Sequence, residues 1–170
     1  MLRAQSNQIL FYVAVLSLAG IGIALISQYV FGMQPCAWCV LQRLILLAIA
    51  LICILGMLAR RSRSIHTLAA TLVCILGISG MIAAWYQYSV ASQMFSCEQT
   101  FADKFIAGSG LDAALPQLFG IYATCMDARV SILGIEYALW SLGLFGLCVL
   151  LGLMSLSRST RPQMIFGPRD

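Results

Sequence analysis

The chain has 170 residues, 61% of them hydrophobic and only 9% charged, with a net charge of +4 and a mean hydropathy of +0.93. An ordinary soluble domain carries about 25% charged residues, and a fold of this size leaves too much surface in water to hide so many apolar side chains. The composition therefore argues against a soluble enzyme and a disordered chain, and the few scattered cations do not form the patch a nucleic-acid binder needs.

A helical membrane span takes about 20 mostly apolar residues, and four segments meet that length. Ile9 to Phe31 carries no charge, Cys36 to Leu58 carries Arg43, Leu68 to Tyr88 carries none, and Leu133 to Leu156 carries Glu136 near its start. Hydrocarbon gives the backbone no hydrogen-bond partners, so each segment is expected to be helical. The first is longer than a signal-peptide core of about 7–15 residues and is read as a retained helix. The expected fold is an all-α membrane protein: one domain over residues 1–170, a four-transmembrane-helix bundle with one short and one long exterior loop. Gly77, Gly80 and Ala84 in the third segment and Gly143 and Gly146 in the fourth would allow close helix contact.

Arginine fixes the expected orientation. Arg3 precedes the first span, Arg60, Arg61 and Arg63 separate the second from the third, and Arg158, Arg161 and Arg169 follow the fourth. The positive-inside rule puts these three places, and both termini, in the cytoplasm. The opposite side then holds a short loop, about 31–35, and a long one, about 89–132, in which Lys104 and Arg129 face Glu98, Asp103, Asp112 and Asp127. In the long loop Phe101, Phe105 and Ile106 share one helical face, as do Leu111, Leu115 and Leu118, with Gly108-Ser109-Gly110 between the two stretches and Pro116 in the second. This pattern suits either a short helix lying in the membrane interface or an apolar surface for a protein partner.

The seven cysteines sort by this topology. Cys53, Cys74 and Cys148 fall inside spans, where free cysteine behaves as a small apolar residue. Cys36, Cys39, Cys97 and Cys125 lie on the exterior side, where disulfides are allowed. Cys36-Ala37-Trp38-Cys39 is a C-x-x-C motif preceded by Pro35, which suits a helix start. In a first helical turn both sulfurs share a face, can close a small-ring disulfide, and sit where unpaired amides favour a thiolate. Arg43 follows Cys39 by one turn, roughly 6 Å deeper. An arginine there either reaches back to the head groups or stabilises a thiolate and hydrogen-bonds a ligand carbonyl at the membrane edge. Cys97 and Cys125 have 27 residues between them; they are either a structural staple or a reactive pair. A zinc site needs all four sulfurs around one ion, which Cys39 beside Arg43 fits poorly, so no metal is expected.

Taken together, four spans, a C-x-x-C opening the second with Arg four residues on, and a cysteine pair in the second exterior loop resemble the bacterial disulfide bond formation protein B family, DsbB. Leu133-Gly134-Ile135-Glu136 and the tail Ile165-Phe166-Gly167 are similar to it as well, and the likeness covers nearly the whole chain. That family works with DsbA and quinone in keeping the bacterial periplasm oxidising.

The resemblance implies an inner-membrane, quinone-dependent thiol oxidase, the quinone being ubiquinone or menaquinone. Reduced DsbA-like protein would attack a Cys97–Cys125 disulfide through Cys97, Cys125 would engage Cys36, and Cys39 beside Arg43 would face the quinone. Where some relatives carry a His tied to the quinone, this chain has Tyr86-Gln87-Tyr88, and the resemblance assigns no residue there. The competing readings are a specialised thiol oxidase with another client, a vitamin K epoxide reductase-like protein, and a non-catalytic scaffold with structural disulfides. The second of these usually presents its C-x-x-C in a late helix.

Overall fold

In the computed structural model, residues 2–58, 63–91 and 100–160 are described. Cys97, Glu98, Arg60, Arg61, Arg161, Arg169 and the stretch Ile165 to Gly167 lie outside them. Four long helices run as α1 (Leu2–Tyr29), α2 (Ala37–Leu58), α3 (Arg63–Ser89) and α7 (Tyr137–Thr160). Each contains a stretch long and apolar enough to cross a membrane: Asn7–Tyr29, Ala37–Leu58, Ser64–Ser89 and Tyr137–Arg158. The protein is an all-α, four-helix membrane bundle.

Leu10 and Val13 of α1, Ile49 and Cys53 of α2, Val73 of α3, and Phe145 and Cys148 of α7 meet in one buried core. The outward faces are as apolar as the inside: Ile23, Leu55, Ile82 and Leu150 are exposed. That reversal of the soluble pattern suits a hydrocarbon solvent, in which helix contact comes from close packing. Glycines set the closest approaches. A Cβ at Gly77 would lie 2.6 Å from Val149 Cγ2, one at Gly80 would enter the Phe145 ring, and one at Gly20 would lie 2.6 Å from Leu144 Cδ2. The α3–α7 and α1–α7 seams therefore depend on missing side chains. Gly143 and Gly146 do not share this role, since a Cβ at either would meet nothing within 4 Å; in α7 it is Gly152, against Cys74 and Val73 of α3, that marks a close contact.

The fourth span starts at Tyr137, four residues later than the hydropathy suggests. Leu133, at φ 56°, and Gly134, at φ 79°, form the tight turn of a two-stranded antiparallel hairpin, β1 (Ser131–Ile132) and β2 (Ile135–Glu136). Left-handed backbone at two successive residues is the turn conformation a two-residue hairpin requires. Glu136 is therefore on the hairpin rather than in the helix, and its carboxylate is ion-paired with Arg129.

The long connection between α3 and α7 carries three short helices: α4 (Phe101–Ser109), α5 (Leu111–Ala114) and α6 (Pro116–Phe119). A capping box starts α4: the Thr100 N–H donates to Asp103 Oδ2 at 2.8 Å, and the Asp103 N–H donates back to Thr100 Oγ1. Gly110, left-handed at φ 69°, ends α4, and Pro116 opens α6. The apolar face expected of this segment splits. Ala102 and Ile106 turn inward, while Phe101 and Phe105 stack on each other at 6.0 Å and are exposed. Ile106 and Phe119 bury against Val40 of α2. The Tyr29 hydroxyl donates to the Gln117 carbonyl at 2.9 Å, tying α6 to the end of α1.

Candidate functional site: a sulfur cluster beside a lateral cavity

The first connection, between α1 and α2, ends at Pro35. Its ring leaves this residue no N–H, but its carbonyl is free to accept. It accepts two hydrogen bonds from the long connection, from the Tyr122 N–H at 3.1 Å and the Ala123 N–H at 3.3 Å. The two connections are thus pinned together next to the first cysteine. Cys36 precedes α2 and starts its hydrogen-bond ladder, its carbonyl accepting from the Val40 N–H at 3.0 Å. Cys39 lies in the first turn of the helix.

Cys36 is fully buried, and its sulfur lies 3.2 Å from that of Cys39. Cys125 packs into the same cluster as Cys36. Three of the four cysteines singled out by the sequence therefore meet around Cys36, which stands between the other two. Trp38, between the motif cysteines, packs on Tyr86 of α3 with ring centroids 4.7 Å apart. Cys53, Cys74 and Cys148 are buried in the bundle away from this cluster.

Cys39 also faces a cavity of about 460 Å³ bounded by α1, α2, α7 and the hairpin. Its walls are mostly apolar, with Leu16, Ile23, Leu46, Leu144 and Trp140 among them. The polar groups that reach it include Arg43, Gln42, Ser27 and Tyr137. Apolar walls with a few placed polar groups are the usual make-up of a small-molecule site. Trp140 follows the hairpin by one helical turn, and its indole N–H donates to the Ile132 carbonyl at 3.4 Å.

Arg43 does not reach back to head groups. It is 5% exposed, and its guanidinium is held from three directions. Nη1 donates to Gln28 Oε1 at 2.7 Å and to the Leu118 carbonyl at 3.3 Å, and Nη2 donates to the Ala24 carbonyl at 3.2 Å. Its buried Nε has no partner. A fixed cation with two of its five N–H donors left over, on the wall of an apolar cavity, suits a ligand that presents a carbonyl oxygen.

Several residues of the site escape the sequence reading, Gln87 and Gln42 among them. Gln87 of α3 is buried, and its Nε2 donates to Cys39 Sγ at 3.2 Å. Gln42 of α2, also buried, donates from Nε2 to Gln87 Oε1 at 2.8 Å. The signal available beforehand was a glutamine at the end of an otherwise apolar span.

The fold and cluster define a multi-pass membrane protein with a cysteine centre at one end of its bundle. The family model for disulfide bond formation protein DsbB matches residues 6–155. Among curated proteins, the chain is 34% identical over 142 residues to disulfide bond formation protein B 2 of Pseudomonas aeruginosa, covering 81% of this chain and 83% of that protein. It is 33% identical over 158 residues to disulfide bond formation protein B 1 of Pseudomonas fluorescens, covering 92% and 93%. It is 29% identical over 142 residues to disulfide bond formation protein B of Cupriavidus metallidurans, covering 83% and 86%. The chain belongs to the DsbB family and is a membrane disulfide-forming oxidoreductase.

Proposed function

We propose that this protein reoxidises a DsbA-like periplasmic dithiol protein and passes the electrons through two cysteine pairs to a membrane quinone. In this reading it resides in the bacterial inner membrane, with both termini in the cytoplasm and the cysteine-bearing connections in the periplasm. The observation that carries it is the line of sulfurs: Cys125 against Cys36, Cys36 at 3.2 Å from Cys39, and Cys39 on the wall of the lateral cavity. A water-soluble thiol protein and a lipid-soluble acceptor never share a solvent, and such a line joins them.

The exchange steps balance as follows. A partner thiolate attacks the Cys97–Cys125 disulfide at Cys97, forming a mixed disulfide and releasing Cys125 as a thiolate. The second partner thiol resolves that mixed disulfide, so the partner leaves oxidised. Cys125 attacks Cys36 of the Cys36–Cys39 disulfide; the Cys36–Cys125 bond forms, and the electron pair of the broken bond stays on Cys39. Cys97, released as a thiolate when the partner leaves, attacks Cys125; the Cys97–Cys125 bond re-forms and Cys36 leaves as a thiolate, so the electron pair rests on the Cys36 and Cys39 dithiol. Thiol–disulfide exchange needs attacking and leaving sulfurs within reach of one centre, and Cys36 sits between its two partners. A quinone in the cavity supplies a two-electron, two-proton acceptor. Arg43, on the cavity wall, would hold it through an N–H that Gln28, Leu118 and Ala24 leave unused, and the apolar walls would exclude water. The buried guanidinium also favours negative charge on Cys39.

The test uses the full chain in proteoliposomes with reduced DsbA-like protein and quinone. Quinone reduction is followed by ultraviolet absorbance and cysteine linkages by mass spectrometry. Cys39→Ser should abolish quinone reduction while the chain stays folded; Cys36, now a lone thiol, should attack the Cys97–Cys125 disulfide at Cys125, giving a Cys36–Cys125 linkage and releasing Cys97 as a thiolate. Continued quinone reduction, or linkages that never join Cys36 to Cys125, would refute the proposal. A scaffold with structural disulfides predicts misfolding or no change.

A further inference from the structure

We infer that Gln87, oriented by Gln42, is a positioning residue that holds negative charge on Cys39 rather than on Cys36. The inference rests on the relay proposed above and adds what singles out one of two adjacent sulfurs. Both amides are buried, at 5% exposure for Gln42 and 6% for Gln87. A buried amide without partners is costly, so the pair is built as a chain running from Gln42 Nε2 to Gln87 Oε1 to Cys39 Sγ. Because Gln42 donates to the Gln87 carbonyl, the amino end of Gln87 is the end left to face the sulfur. A neutral thiol is a weak acceptor, whereas a thiolate accepts strongly, and an N–H···S distance of 3.2 Å suits the charged form. Arg43 directs its N–H groups to Gln28, Ala24 and Leu118. It therefore acts on Cys39 through charge, while Gln87 supplies the direct bond. An amide does not titrate, so the donor itself is present at any working pH.

The test is iodoacetamide alkylation of the reduced full chain in detergent at neutral pH, with Cys36 and Cys39 quantified separately by mass spectrometry. Losing one hydrogen bond to a charged acceptor should slow Cys39 in Gln87→Leu about tenfold relative to Cys36. Gln87→Glu, which swaps the donor for an acceptor, should slow it at least as much. Gln87→His should restore most of the rate, since its ring N–H can donate, and should add a pH dependence near the imidazole range of about 6.5. Should Gln87→Leu not fold, Gln42→Leu must show a smaller loss of the same sign. A parent-like Cys39 rate in the Leu or Glu variant overturns the inference. So does an equal change at both cysteines, or a histidine variant with no added pH dependence. The readout needs neither quinone nor partner, so failure here is distinct from failure of the relay.

Discussion

Replacing Arg43 by Leu tests the cavity most directly. The change removes a buried cation that donates to Gln28 Oε1 and to the carbonyls of Ala24 and Leu118, and it removes the unpartnered Nε. A hydrogen bond to a charged group is worth about 1.5–3 kcal/mol. If a spare donor meets the acceptor carbonyl in the transition state, its loss corresponds to roughly a 10- to 150-fold fall in kcat/KM for quinone. Thiol exchange at Cys125 and Cys36 lies on the other side of Cys39 and should fall only a few-fold. Arg43→Lys keeps the charge, but one ammonium cannot reproduce the fork that reaches Gln28, Ala24 and Leu118 together. It should fall between the parent and the Leu variant. The assay measures two half-reactions on the same preparation: quinone reduction by the prereduced chain, and reduction of the oxidised chain by a dithiol protein. If both fall by the same factor, Arg43 supports the bundle as a whole and its assignment to the cavity is wrong.

Two further outcomes concern the scaffold. Gly80→Ala places a methyl inside the Phe145 ring at the α3–α7 seam and should cost about 1–3 kcal/mol by overpacking; a thermal midpoint equal to the parent's would contradict that packing. Thr100→Ala removes one half of the capping box of α4 and should cost about 1 kcal/mol. Amide hydrogen exchange should then quicken at Asp103 and Lys104 while the long helices are unaffected, and unchanged exchange would contradict the cap.

What could be read from the residues beforehand follows from what each signal depends on. Span existence depends on apolar length alone, so the four helices were evident. The start of α7 was not, because Leu133 and Ile135 are as apolar as a span while Leu133-Gly134 is a turn, and hydropathy is blind to a left-handed backbone. Gly77 and Gly80 were legible as packing residues, but Gly143 and Gly146 carry the same composition on a face that meets nothing within 4 Å. In the site, Cys36, Cys39 and Arg43 were marked by spacing on one helix. Cys125 was marked by its chemistry, while its meeting with Cys36 is a tertiary fact. Gln87 contributes through a contact between α2 and α3, and no local pattern on either helix encodes such a contact.

The double acceptor at Pro35 has a consequence for how the long connection can change. Cys125 follows the pinned Ala123 by two residues, and Cys36 follows Pro35 by one. An inserted or deleted residue in that stretch would displace the sulfur by about 3.4 Å, more than a sulfur–sulfur bond of about 2.05 Å tolerates. The few positions from 122 to 125 act as a ruler of fixed length, so natural variation in loop size is expected to fall elsewhere.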